Sequence, residues 1–257
     1  MKTAVGGTAE QIASEFRNFE EIAKGIVPRP GSIPSVLGMD GYGQTLPLNG
    51  IVGGDHLIYV DFKKRHDLDA RIEMARDAGR LDIAARLDRC RRTAGIALID
   101  VSGHQATDAM LAAMFRQAFL LGILYGLDMS GHVTKRLFEN LNQRFHHTSK
   151  VNKFITAVYG EISEDATFSF LLAAHPPPVV FSAANDCFMN VDPEKYVSCP
   201  PLGMLPSRSV VDWHRSKSAL GFKDGYEVNR WTLMGKGDLL LLYTDGLQEH
   251  DRRGERY

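Results

Sequence analysis

The sequence predicts an α+β fold in which antiparallel β-sheets are layered with helices, and three observations carry that assignment. Apolar runs at 167–173, 179–183 and 238–243 are separated by Ser163-Glu164-Asp165, Ala184-Asn185-Asp186 and Gly235-Lys236-Gly237, which are hairpin and meander turns rather than helical crossovers. Helical periodicity in that region is confined to one block before the strands, the pattern of helices laid against sheets. Finally, the run Leu239-Leu240-Leu241-Leu242 closes on Tyr243-Thr244-Asp245-Gly246. A buried strand ending in this way delivers a carboxylate to the rim of a sheet, and Gly246 permits the turn.

Length and composition bound the function. A chain of 257 residues, 44% hydrophobic and 24% charged, can bury one sizeable core. It divides into an N-terminal helix with a Pro/Gly-rich connector (1–49) and one domain (50–257). A formal net charge of -1 supplies no bulk attraction to nucleic acid or to an anionic membrane. Cys90, Cys187 and Cys199 are far apart and form no C-x-x-C pair, so neither a disulfide framework nor a zinc site is expected. A reducing cytoplasm fits that usage, and the polar residues after Val5 argue against a secretory signal.

The elements follow in order. Ile12, Phe16, Phe19 and Ile22 fall at helical spacing, and Pro28, Pro30 and Pro34 stop that helix. A glycine turn then leads into a strand at 50–62 that pairs with the strand ending at Asp100. Between the two lies a charged insertion at 63–92. Asp67 and Arg71, Asp82 and Arg86, and Asp88 and Arg92 each stand four apart with the acid first, which supports exposed helix. Leu68, Ile72, Ala75, Leu81, Ala84 and Leu87 give it a narrow apolar stripe broken at Gly79. It is expected to be a helical hairpin outside the core, with a protein substrate or a second copy of the chain as its alternative partner. The most hydrophobic stretch, 109–127, has Arg116 and Gln117 at its middle, and a charge there would cost about 2.5–3.5 kcal/mol in hydrocarbon. It is expected to be a core helix buried between layers, with Met110, Met114, Phe115, Ala118, Phe119 and Leu121 all contributing. A second helix is expected at 131–145, then strands at 154–162, 167–173, 179–183, 227–233 and 238–243.

Two further stretches repeat the design seen at Asp245. Gly53-Gly54-Asp55 runs into His56-Leu57-Ile58-Tyr59-Val60, and Ile96-Ala97-Leu98-Ile99 runs into Asp100-Val101-Ser102-Gly103-His104. Three carboxylates presented at strand ends beside glycine suggest an oxygen-rich site for hard divalent cations. Together with Phe154-Ile155-Thr156-Ala157-Val158-Tyr159-Gly160, Ala174-His175-Pro176-Pro177-Pro178 and Pro201-Leu202-Gly203-Met204, these motifs occur in an order that resembles the SpoIIE-like branch of the PPM metal-dependent serine/threonine phosphatases. The resemblance covers residue 50 to the C-terminus.

That resemblance implies a central β-sandwich flanked by helices, with two Mn²⁺ or Mg²⁺ ions at one end. It makes Asp100 the bridging ligand, with the Val101 backbone carbonyl also coordinating and Asp55 and Asp245 each holding one ion. The implied reaction is hydrolysis of phosphoserine or phosphothreonine by an activated water, with no covalent intermediate. The implied setting is bacterial partner switching, where the substrate would be a phosphorylated anti-sigma-factor antagonist. Asp61 and Glu249 are expected to orient waters around the ions, and His175 is read as a structural histidine. Three departures stand out: Gln105 where a second glycine is expected, the insertion at 63–92, and an end at Tyr257 ahead of the family's last strand with its paired aspartates. The last makes a fragment or a degenerate member the expectation. The alternative function is a catalytically disabled binding module that docks a partner through residues 106–145. A diguanylate cyclase reading of Gly53-Gly54-Asp55 fails because His56 stands where that family has an acid.

Overall fold

The computed structural model describes residues 9–25, 28, 33–46, 53–103, 106–148, 153–232, 235–247, 251–252 and 255–256. The expectations attached to His104, Gln105 and Glu249 lie outside them. Helix α1 (Ala9–Lys24) comes first among the described elements, and strand β1 (His56–Asp61) opens the domain. Next come helices α2 (Phe62–Arg65), α3 (Leu68–Asp77) and α4 (Leu81–Cys90), strand β2 (Thr93–Val101), and helices α5 (Ala106–Ser130) and α6 (Lys135–Thr148). Strands β3 (Ile155–Ser163), β4 (Thr167–Ala173), β5 (Val179–Ser182), β6 (Cys187–Phe188), β7 (Val228–Thr232) and β8 (Leu239–Leu241) follow, with a minimal hairpin of β9 (Asp251–Arg252) and β10 (Glu255–Arg256).

Beside the β9–β10 pair, the described strands form two antiparallel sheets, one of five strands in the order β1-β2-β3-β4-β7 and one of three in the order β6-β5-β8. The large sheet is hydrophobic on both faces. On one, Ile58, Val60, Ala97, Ile99, Ala157 and Leu171 pack against Phe115, Phe119, Ile123 and Phe138 of the helices. On the other, Val158, Phe168, Phe170 and Leu172 meet Leu240 and Leu242 from the small sheet. The layers are therefore helix, sheet, sheet, the mixed α+β architecture expected from the turn chemistry.

Several local expectations change. The stripe of the insertion is not outside the core: Leu68, Ile72, Ala75, Ala84 and Leu87 are buried in the same cluster as the α5 phenylalanines. At about 1.5–3 kcal/mol for each large aliphatic side chain removed from water, that packing outweighs the surface ion pairs. Of the three expected pairs only Asp82–Arg86 forms (3.4 Å). Arg71 instead reaches Asp128 at the end of α5 (3.2 Å), and Asp67 caps α3 by accepting from the Ala70 N–H. Helix α5 is buried on one face only, through Phe115, Phe119, Ile123 and Leu127, whereas Met110, Met114 and Leu121 are exposed. By length and composition it is the one helix among the described residues able to cross a membrane, yet its inward face is part of the core. Gly131 closes α5, its N–H donating to the Leu127 carbonyl, so α6 begins four residues later than expected. The strand expected at 238–243 is paired only over Leu239–Leu241.

Candidate active site

Asp55 and Asp100 are brought together by strand register. His56 faces Ile99 across the β1–β2 ladder, so one step further places Asp55 beside Asp100. The approach is close because residue 54 is glycine. A Cβ there would lie 2.9 Å from the Val101 carbonyl oxygen, 3.3 Å from the Gly103 carbonyl oxygen and 3.6 Å from Asp100 Oδ1, and any side chain would fill the space between the two strand ends.

The third carboxylate arrives from the other sheet. After β8 the chain runs through 242–244 into a short 3-10 turn at Asp245–Leu247. The Thr244 hydroxyl donates to Asp55 Oδ2 at 2.8 Å, which pins this crossing to the rim of the large sheet. Asp245 itself is exposed. Thus all three segments meet at one end of the layered sheets, but among the described residues no group of three or more His, Cys, Asp or Glu side chains is drawn in closely enough to hold an ion. The donors around Gly54 are the Asp100 carboxylate and the Val101 and Gly103 carbonyl oxygens, with Asp55 the next residue along the chain; all are hard oxygen ligands, which suits Mg²⁺ or Mn²⁺ and does not suit a thiophilic metal.

Asp61 does not belong to this site. It lies at the opposite end of β1, opposite Ala94, about 20 Å from Asp55 at the rise of an extended strand. There it caps α2, with Oδ1 accepting from the Lys64 N–H. His175, set aside in the sequence as structural, does lie at the site. It is buried, and its Nδ1 is 2.9 Å from the Thr156 hydroxyl. Thr156 is the direct cross-strand partner of Asp100. Burial lowers the His175 pKa to about 4, with the nearby Asp55 carboxylate opposing the shift, so the ring is neutral at pH 7. The sequence gives only an indirect signal for it, the three prolines that follow and fix the edge of the crossing to β5. Thr244 was legible as part of a strand end, but its bond to Asp55 spans 189 residues and no local spacing announces it.

A family model described as Stage II sporulation protein E (SpoIIE) matches residues 91–257. That range includes Asp100, Val101 and Asp245 and leaves Asp55 outside. The phosphoserine phosphatase RsbP of Bacillus subtilis (strain 168) is 26% identical over 157 residues, which cover 60% of this chain and 33% of RsbP. The chain therefore matches about a third of that relative's length. The solved SiaA-PP2C domain of Pseudomonas aeruginosa is similar with a TM-score of 0.57 at 13% identity, over 99% of this chain and 80% of that one, a likeness of fold. The PP2C phosphatase domain and regulatory fragment of SpoIIE from Bacillus subtilis is similar at a TM-score of 0.48 and 18% identity, over 80% of this chain and 45% of that one.

Proposed function

This chain belongs to the SpoIIE family, and from that premise we propose that it is a metal-dependent phosphatase hydrolysing phosphoserine or phosphothreonine in a regulatory phosphoprotein. The observation that carries the reading is the approach of Asp100 and the Val101 carbonyl to Gly54, with Asp55 the next residue and the Thr244–Asp245 crossing hydrogen-bonded to the Asp55 carboxylate. In this reading Asp100, the Val101 carbonyl, Asp55 and Asp245 would together hold the cations. Two Mn²⁺ or Mg²⁺ ions bound there would neutralise phosphate oxygens and lower the pKa of water for in-line attack. The chain's own part is to place the Asp55 and Asp100 oxygens at the ends of paired strands, where they need little reorganisation when substrate arrives. Neutral His175 keeps Thr156 fixed behind Asp100 without adding positive charge. The RsbP likeness supports phosphoserine as the group attacked, and the substrate class proposed with it, as the motif resemblance implies, is a phosphorylated anti-sigma-factor antagonist in a cytoplasmic partner-switching system.

Asp100→Asn tests the reading. Hydrolysis of a phosphoserine peptide in Mn²⁺ should fall well beyond the ~10–100-fold that losing a supporting group outside the coordination shell costs, with the fold intact. A second reading, a catalytically disabled module that binds a partner or another copy of itself, is favoured by one observation. Met110, Met114, Leu121, Tyr125 and Met129 leave an exposed apolar face along α5, the kind of contiguous patch that marks an interaction surface. Wild-type hydrolysis no greater than that of Asp100→Asn would leave this second reading standing alone.

A further inference from the structure

The turn that follows Asp100 is held from behind by a buried ion pair. Lys153 Nζ donates to the Ser102 carbonyl at 2.6 Å and pairs with Asp108 in the first turn of α5 at 2.9 Å. The Asp108 side chain is fully buried, at 0% exposure, and that of Lys153 is 24% exposed. The same turn is zipped to the start of β3: the Ser102 N–H donates to the Phe154 carbonyl (3.1 Å) and the Phe154 N–H to the Ser102 hydroxyl (3.2 Å). Gly103, at φ +128°, fits only because it has no side chain, since a Cβ would lie 2.4 Å from both Asp108 Oδ2 and Lys153 Nζ.

We propose that Lys153 and Asp108 form a positioning clamp that holds the 100–103 turn in its cation-ready shape, so that the pair sets metal affinity although neither residue touches the ion. The inference rests on the phosphatase reading and adds residues to its site. Three elements otherwise independent in sequence meet through Lys153: the turn after β2, whose Ser102 carbonyl accepts from it, the first turn of α5, whose Asp108 pairs with it, and the start of β3, two residues beyond it. Ser102 is one peptide from the Val101 carbonyl and two from Asp100, and a slip of the turn would rotate both oxygens away from the position facing Asp55.

Charge and position make opposite forecasts, which makes the proposal testable. Lys153→Met removes a positive charge and leaves buried Asp108 negative beside the site. Charge alone then predicts tighter Mn²⁺ binding. A clamp predicts weaker binding, by about 10- to 100-fold, as for other groups that orient metal ligands. Mn²⁺ uptake by the whole chain is measured by the electron paramagnetic resonance of the free ion, with no turnover involved, at a temperature where circular dichroism shows wild type and variants equally folded. Expected results are weakened uptake in Lys153→Met and in the charge-neutral double variant Lys153→Met/Asp108→Asn, with Lys153→Arg recovering most of the loss because its guanidinium can still reach both oxygens. Uptake unchanged or tightened in Lys153→Met, with wild type binding normally, would overturn the clamp and leave the phosphatase reading untouched. A wild-type chain that takes up no Mn²⁺ would remove the metal reading and the clamp together.

Discussion

The two sheets differ in how firmly they hold what they carry. The large one has nine-residue strands at its centre, β2 and β3, paired along their whole length, with helices on one face and the small sheet on the other. The small one is built from strands of two to four residues. Its outward side chains stay wet, with Leu239 62% and Leu241 42% exposed. Asp55 and Asp100 grow from the first sheet, Asp245 from the second. Two carboxylates are therefore fixed by long ladders while the third hangs on a short strand and a single 3-10 turn, tied back by the Thr244–Asp55 hydrogen bond. A site divided in this way is half preorganised and half adjustable.

The contrast is broken most severely at Phe119. It is fully buried and touches Phe115, Phe138 and Tyr159 with ring centroids 5.7, 5.9 and 5.2 Å away. It therefore joins α5, α6 and the large sheet at one point. Phe119→Ala should cost about 3–5 kcal/mol, read as a lowered midpoint in urea unfolding followed by circular dichroism. A loss under about 1 kcal/mol would mean that the helical layer is not the foundation of the large sheet.

An intermediate effect is expected from pH, through Lys223. This lysine is buried on the segment that ties α6 to β7. The Tyr226 N–H there donates to Glu139 Oε1 at 2.6 Å. Burial brings the Lys223 pKa down to about 7, against the pull of Glu139 and Cys199 nearby, and the ammonium stands 3.0 Å from the centre of the Tyr226 ring. An unfolded lysine titrates near 10.4, so above about pH 7 the unfolded chain binds more protons than the folded one, and stability rises with pH. Below that value both states hold the proton and the contribution is flat. Urea midpoints should climb between pH 7 and 9 in wild type and climb less in Lys223→Met. Equal slopes would show that the ring and Glu139 hold the ammonium charged throughout.

How much of this was legible depends on the range of the interaction. The strand ends at Asp55, Asp100 and Asp245 could be read locally because turn residues and apolar runs are contiguous, and the layered α+β class followed from them. The insertion was misplaced because Leu68, Ile72 and Leu87 look like a narrow surface stripe until α5 is laid against them. Met110, Met114 and Leu121 were misassigned to the core for the converse reason: hydrophobic residues all round a helix do not say which side the sheet covers. Asp61 carried the right chemistry at the wrong end of β1, and only the ladder register settles that. Thr244, His175 and the Lys153–Asp108 pair act across tens of residues or more, a distance at which periodicity and motif spacing carry no signal.

The smallest effect is expected in the small sheet, at Phe181. Its ring meets Phe188 edge-on at 5.2 Å, but β6 and its flanks are exposed and the ring is only partly buried. Truncation to alanine removes one aromatic pair, worth about 0.5–1.5 kcal/mol, together with part of a side chain's burial. The loss on Phe181→Ala should therefore be about 1–2 kcal/mol, a fraction of that for Phe119→Ala in the same urea titration. The comparison decides how the two sheets are coupled. If Phe181→Ala costs as much as Phe119→Ala, the small sheet is a full partner in the cooperative core and Asp245 is as firmly held as Asp100. If it costs little, the Asp245 end sits on the adjustable edge of a stable platform, while Asp55 and Asp100 belong to the platform itself.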